Sequence, residues 1–236
     1  MKSHFGFSSR RTGRQKETNL KEKIYIFSGL GSDKRVFKHI KFIDFEPVFI
    51  DWISPKKNET LENYSKRISL QIEKENPIIL GISFGGIIAI EISKQIKTKK
   101  LILLATAKTR NELPKFYLTL GKLRILKVIP TRLLKKTNFI THYFFGTKTK
   151  DDRTTLKEII DDTDPKFLKW ALHKILNWTN TALPRNFVHI HGTNDKIIPL
   201  KTNMCDIEIK NGGHFMTLNK FEELNKVINA ELEKIK

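Results

Sequence analysis

Six short apolar runs punctuate the chain, and between them the apolar positions recur at helical spacing. The runs are KIYIFSG (23–29), PVFIDW (47–52), PIILGIS (77–83), KLILLAT (100–106), FVHIHG (187–192) and CDIEIK (205–210). Their β-branched content and near-continuous hydrophobicity predict strands buried on both faces. Helical patterns fill the gaps: DKRVFKHI, ETLENYSKRISLQIEKE with Leu61, Tyr64, Ile68 and Ile72 on one stripe, FGGIIAIEISKQI, and NKFEELNKVINAELEK. Strand alternating with helix predicts an α/β architecture, a doubly wound and mostly parallel sheet of about six strands.

The alternation breaks between Ala107 and Asn186. No strand pattern stands out there. Apolar residues fall at helical spacing in FYLTLGKLRILKVI and FLKWALHKILNW, and Pro114, Pro130 and Pro165 sit where helices would start or stop. The expected organisation is therefore an α/β core of residues 23–106 and 187–236, with 107–186 inserted as a helical cap above the sheet. Residues 1–22 are polar, basic and poor in large aliphatics, and read as a mobile tail.

Composition sharpens this picture in three places. The 16 Phe and 3 Trp among 236 residues allow a substantial core, which argues against wholesale disorder. No run of 18 apolar residues occurs, so no membrane-spanning helix is expected, and the basic N-terminus has no apolar segment of the kind a secretory signal needs. The single Cys205 excludes an intramolecular disulfide and any multi-cysteine metal site, and fits a reducing, cytoplasmic location.

The net charge of +19 is unevenly placed. Residues 107–186 carry a net +10 and residues 1–23 a net +5, whereas 187–236 are neutral. Between 113 and 150 there are nine Lys or Arg and no acid. Lysine is scattered through every predicted helix, so solvated faces are the simpler reading. The other reading is attraction to something anionic: a membrane surface, an acidic carrier or nucleic acid. No RNA- or DNA-reading motif appears, so no specific nucleic-acid partner is expected.

The candidate chemistry lies at strand ends. Gly81-Ile82-Ser83-Phe84-Gly85, followed by Gly86, stands between an apolar strand run and a helical run. A G-x-S-x-G elbow needs that context, because small neighbours let the backbone turn sharply and lift the serine hydroxyl above the sheet. Alone the motif is a common accident; here strand and helix flank it. Ser28-Gly29-Leu30-Gly31-Ser32 follows the first strand. If the first and third strands are neighbours, this loop faces Ser83, and the backbone N–H groups of Leu30 and Phe84 can hold an oxyanion. A phosphate-binding G-x-G-x-x-G is the competing reading, but position 34 is Lys and a P-loop is absent, so nucleotide binding is disfavoured. Asp195 follows the fifth strand in His191-Gly192-Thr193-Asn194-Asp195. His214 follows the sixth in Asn211-Gly212-Gly213-His214-Phe215. Asp195 alone reads as part of a turn-forming Asn-Asp pair, but an acid there can also orient an imidazole, and Ser83, Asp195 and His214 each follow a predicted strand.

On these motifs the chain resembles a small α/β-hydrolase of the carboxylesterase, thioesterase and lysophospholipase kind with a helical cap. The resemblance spans roughly residues 23–236. It implies Ser83 as nucleophile, His214 as base and then acid, Asp195 as orienting acid, and the Leu30 and Phe84 amides as oxyanion hole. It also implies an ester or thioester substrate, with no metal and no cofactor. Two departures stand out: the usual first β-hairpin has no counterpart, and the frequent His-Gly before the oxyanion residue is Ser28-Gly29. The cap aromatics Phe116, Tyr117, Phe139, Tyr143 and Phe144, with Leu118, favour an apolar acyl or alkyl group. The alternatives are non-hydrolytic chemistry on the same fold (lyase, synthase or peroxidase) and a non-catalytic basic module.

The remaining conspicuous residues read more plainly. His39, His142, His173 and His189 have surface or packing roles, and His191 supports the strand end. Trp52, Trp170 and Trp178 supply buried area. Asp33 and Arg35 form an ion pair or start a helix.

Overall fold

Each apolar run becomes a strand of one six-stranded sheet in which every neighbouring pair is parallel. The computed structural model describes residues 21–236 apart from 124, 125, 127, 128, 131–134 and 136. Residues 1–20 of the expected tail therefore lie outside the described residues. The strands are β1 (Glu22–Phe27), β2 (Phe45–Phe49), β3 (Ile78–Ile82), β4 (Lys100–Leu104), β5 (Phe187–Gly192) and β6 (Ile207–Ile209). Their spatial order is β2-β1-β3-β4-β5-β6. The chain thus runs one way from β1 to β2 and the other way from β3 onward. That reversal falls at the carboxyl ends of β1 and β3, the place where α/β sheets collect their ligands. The register places Phe27 opposite Gly81, so the two following loops lie side by side.

Period-two alternation divides the core. Ile24, Ile26, Ile78, Leu80, Ile82, Ile102, Leu104, Val188 and Ile190 point to one face. There they meet Leu156 and Ile159 of α5 (Lys150–Asp162) and Leu224, Ile228 and Leu232 of α8 (Phe221–Glu233). Tyr25, Phe27, Ile79, Leu101 and Leu103 point to the other face. That face is covered by α2 (Phe84–Ser93), with Tyr64 and Ile68 of α1 (Leu61–Ile68) and Phe167 and Ala171 of α6 (Pro165–Leu176) in the same cluster. Helix α2 is buried from Phe84 to Ile92, which matches a sequence that is apolar all round.

Local signals set the helix ends. Thr60 caps α1 by accepting the Asn63 N–H at 3.1 Å, and Asp164 caps α6, where Pro165 occupies the first turn. Thr149 and Asp152 form a reciprocal capping box on α5. Helix α1 stops at Ile68 instead of running on through Ile72. The Gln71 side chain bonds both the N–H and the carbonyl of Asp51, at 3.1 and 2.9 Å, and so draws the chain back to the end of β2. DKRVFKHI yields only the 3₁₀ turn Lys34–Phe37, capped by Asp33. Arg35 pairs with Asp33 at 2.8 Å, as the plain reading of those residues expects.

Between β4 and β5 the described residues form α3 (Lys115–Lys122), α4 (Phe139–Phe145), α5 and α6, and no strand. A short helix α7 (Met216–Asn219) precedes α8. Among the described residues no helix is long and apolar enough to cross a membrane.

Candidate active site

Ser83 occupies the turn between β3 and α2 with φ 55° and ψ −121°, a left-handed conformation that is strained for a residue with a side chain. Its N–H continues the sheet by donating to Leu104 O at 3.0 Å, and its carbonyl accepts the Gly86 N–H at 3.0 Å. The Thr106 hydroxyl donates to the same carbonyl at 2.7 Å. The turn is tight because its neighbours have no side chains. A Cβ on Gly85 would stand 2.2 Å from the carbonyl oxygens of both Phe27 and Ser28. A Cβ on Gly81 would stand 2.5 Å from Gly85 O. Gly85→Ala should therefore force the β1 loop off the elbow and cost on the order of 3 kcal/mol, in the range of severe overpacking. Thermal or denaturant unfolding measures it; a loss below ~0.5 kcal/mol, the scale of an ordinary surface change, would show that the two loops are not held together.

The other two motifs are stitched together by backbone. Thr193 N–H donates to Ile209 O at 3.0 Å, and Asn194 N–H to Gly212 O at 2.8 Å. Asn211 N–H reaches the Thr193 hydroxyl at 2.8 Å. The loop after β5 is thereby laid against the loop after β6, and Asp195 meets His214. The structure brings all three predicted residues into one line: His214 Nδ1 lies 2.8 Å from Asp195 Oδ2, and His214 Nε2 lies 2.8 Å from Ser83 Oγ.

Asp195 and His214 are each only 4% exposed. The second carboxylate oxygen, Asp195 Oδ1, accepts the N–H groups of Ile197 and Ile198, both at 2.9 Å. Burial works to raise the Asp195 carboxyl. The charge and hydrogen bond of His214, with His191 and the Ile198 N–H, together outweigh burial and hold it below the usual carboxylate range. An ionised carboxylate only accepts, so the His214 hydrogen is on Nδ1 and its Nε2 presents a lone pair to the Ser83 hydroxyl.

The loop after β1 lies against the elbow. A methyl group on Gly29 would stand 3.6 Å from Ser83 Cβ. Phe84 is the first residue of α2, and first-turn N–H groups have no partner within their helix. The Phe84 side chain is buried and that of Leu30 is partly buried against the same cluster.

Three supports of this loop and the acid loop escape sequence reasoning. Trp52 Nε1 donates to Ser32 O at 3.0 Å, beyond its expected packing role; its place just past β2 was a signal. The Thr163 hydroxyl donates to Gly31 O at 3.0 Å, across 132 residues, with no sequence signal. Tyr117 OH donates to Ile197 O at 3.0 Å and so pins the acid loop to α3.

Other expectations fare differently. Phe116, Phe139, Tyr143 and Phe144 are exposed, Phe139 by 81%, so they form an outward face of α3 and α4. Apolar residue types suggest an acyl-lining role without saying which way the side chains turn. Phe145, the next residue, is the one that turns inward, 5.8 Å ring to ring from His214. His189 is not a packing histidine alone: it is wholly buried and hydrogen-bonded to Lys108 and His191. Among the described residues no group of three or more His, Cys, Asp or Glu could hold a metal ion.

The same architecture occurs in solved structures of low sequence identity. A lipase candidate from Acinetobacter baumannii AYE matches with TM-score 0.70 and 16% identity, over 91% of this chain and 84% of that one. The N-acyl homoserine lactonase AidH, in a mutant complexed with N-hexanoyl homoserine, matches with TM-score 0.67 and 15% identity, over 92% and 90%. A bromoperoxidase from Bacillus anthracis matches with TM-score 0.66 and 15% identity, over 91% and 92%. No sequence-family model and no curated protein sequence matches the chain. The parallel sheet, its strand order and these likenesses define the chain as having the α/β-hydrolase fold.

Proposed function

We propose that the chain is a serine hydrolase that cleaves an ester or thioester of an apolar acyl group. The observation that carries this reading is the unbroken line Asp195–His214–Ser83, at 2.8 Å for each link, ending on a serine held in a strained elbow. In the reaction Ser83 Oγ attacks the acyl carbonyl while His214 Nε2 takes the hydroxyl proton. The carbonyl oxygen becomes an oxyanion between the N–H groups of Leu30 and Phe84. His214 gives the proton to the departing alcohol or thiol. Water, activated by the same imidazole, then releases the acid from the acyl-enzyme. Asp195 stays ionised throughout and steadies the imidazolium. The reading needs no metal or cofactor. It is in keeping with the names of the similar structures, among them a lactonase and a thermophilic esterase.

A fluorophosphonate probe tests the reading directly. It should label the native chain at Ser83 and leave Ser83→Ala unlabelled. Labelling without turnover of any short p-nitrophenyl ester or thioester would move the chain to the non-hydrolytic chemistry of the same fold.

The cap adds a second element. Exposed Phe139, Tyr143 and Phe144 lie on the helix whose next residue, Phe145, touches His214, and the surrounding sequence from 113 to 150 has no acid. Exposed aromatics in a segment whose sequence is basic and acid-free would suit an acyl group presented on an anionic carrier or membrane surface. Steering of that kind fades as salt shortens the Debye length to about 8 Å at physiological ionic strength. Accordingly kcat/KM for an anionic acyl thioester should fall between low and high salt, while that for a neutral p-nitrophenyl ester should hardly move. Replacing Lys122, Arg124 and Lys127 by Gln should flatten the first dependence; Arg124 and Lys127 lie outside the described residues. Equal salt response for both substrates would leave the positive charge as solvation.

A further inference from the structure

Behind the catalytic carboxylate runs a buried file of polar side chains that the triad does not use. His189 and His191 alternate with Val188 and Ile190 along β5, so both rings leave the sheet on one face, and neither has exposed surface. His191 Nε2 lies 2.8 Å from Ile198 O and 3.4 Å from Asp195 Oδ2. His191 Nδ1 lies 3.2 Å from His189 Nε2. His189 Nδ1 lies 3.0 Å from Lys108 Nζ. The same ammonium donates to Met204 O and pairs with Glu112 Oε1 at 3.0 Å.

Donor and acceptor chemistry gives this file one direction. His189 Nδ1 faces both the Lys108 ammonium and Met204 O at 3.0 Å; because the ammonium only donates and already serves that carbonyl, Nδ1 is left to accept. A neutral imidazole carries a single N–H, so the His189 hydrogen is on Nε2 and points at His191 Nδ1. The His191 hydrogen is then on Nε2, facing Ile198 O and Asp195. Without the ammonium, the partner left to His189 Nδ1 is Met204 O at 3.0 Å, which calls for a hydrogen on Nδ1. The whole file then reverses. His189 Nε2 accepts from His191 Nδ1–H, and His191 turns a bare lone pair toward both Ile198 O and the catalytic carboxylate.

We propose that Lys108 is a positioning residue for the catalytic acid: it sets the tautomers of His189 and His191 and so keeps an N–H, not a lone pair, against Asp195. The inference rests on the reading of Asp195 as the triad acid. Both rings are neutral near pH 7: burial, with Lys108 and His191 alongside, pushes His189 down to about 3, and burial outweighs Asp195 in lowering His191. The charged and titratable neighbours are occupied elsewhere. Glu112 pairs with Lys108, and Asp206 Oδ2 accepts the backbone N–H of His189 at 2.7 Å. Tyr117, pushed up to about 12 by burial with Asp195 nearby, stays a donor to Ile197 O. Burial keeps the Cys205 thiol protonated by raising it.

The test reads the tautomers themselves. Two-bond ¹H–¹⁵N correlation spectra of the full chain, with histidine ring nitrogens labelled, should show Nε2–H for both His189 and His191. In Lys108→Met both should become Nδ1–H. The kcat for a p-nitrophenyl ester should then fall roughly tenfold, about the worth of one well-placed hydrogen bond, with KM little changed. A lone pair beside Asp195 raises the proton affinity of the Asp195–His214 couple, so the acidic limb of kcat/KM should move to higher pH, by about half a unit or more. Lys108→Arg, which also only donates, should keep the native tautomers and the native limb. Nδ1–H at His189 in the native chain overturns the proposal, even if Lys108→Met does not fold. So do unchanged tautomers in a folded Lys108→Met, or reversed tautomers with unchanged kcat and pH profile. The spectra need no substrate, so failure of the relay and failure of the hydrolase reading are told apart.

Discussion

Ser83→Ala should abolish ester hydrolysis while the protein stays folded. The substitution removes one hydroxyl, whose partner is His214 Nε2 at 2.8 Å. The features that hold the elbow are left in place. Gly81 and Gly85 keep their close approaches, Thr106 keeps its bond to the Ser83 carbonyl, and alanine takes the same strained φ as serine. In a protease with an equivalent triad, loss of the serine costs ~10⁶ in kcat. Steady-state hydrolysis of p-nitrophenyl acetate, with circular dichroism as the folding control, measures the effect. Activity above about a hundredth of native in a folded variant contradicts the nucleophile assignment.

Asp195→Asn should be nearly as severe for a different reason. The amide oxygen can still accept from Ile197 and Ile198, so the loop is preserved. The amide nitrogen, however, now donates toward His214 Nδ1. That imidazole must place its own hydrogen on Nε2, where it meets the Ser83 hydroxyl instead of receiving its proton. A wrong tautomer of this kind lowers kcat about 10⁴-fold in a triad of the same geometry. Turnover close to native would mean that His214 is oriented without Asp195.

Much of this site could be read from the residue order, because each part obeys a short-range rule. The elbow announces itself through Gly81, Gly85 and Gly86, whose smallness is demanded by contacts within a few residues and by the adjacent strand. Asp195 and His214 announce themselves by following strand runs. Contacts set by distant packing were not readable. Phe139 and Tyr143 read as lining for an apolar acyl or alkyl group, yet nothing local says whether an apolar side chain meets a pocket or solvent, and both are exposed. Lys108 and His189 are 81 positions apart. Their residue types read as a solvated base and a packing ring, and only the return of β5 beside β4 brings them together. Helix α1 ends earlier than its apolar spacing predicts because Gln71 bonds to Asp51, not within its own helix.

The pairing of β4 with β5 has a consequence for the order of assembly. Leu101 sits opposite Phe187, so this ladder closes an excursion of roughly eighty residues. Closing so long a loop costs about 4 kcal/mol of chain entropy beyond a constant, (3/2)RT ln n for that length, and none of it is recovered until the strand docks. Ser83 lies before the excursion; Asp195 and His214 both lie after it. Until β5 and β6 return, the Ser83 hydroxyl lacks its His214 partner. Non-local parallel pairing is also the slow part of folding. On the hydrolase reading proposed above, Ser83 would gain its base only when the last strands have docked, so reactivity toward a fluorophosphonate would report complete assembly.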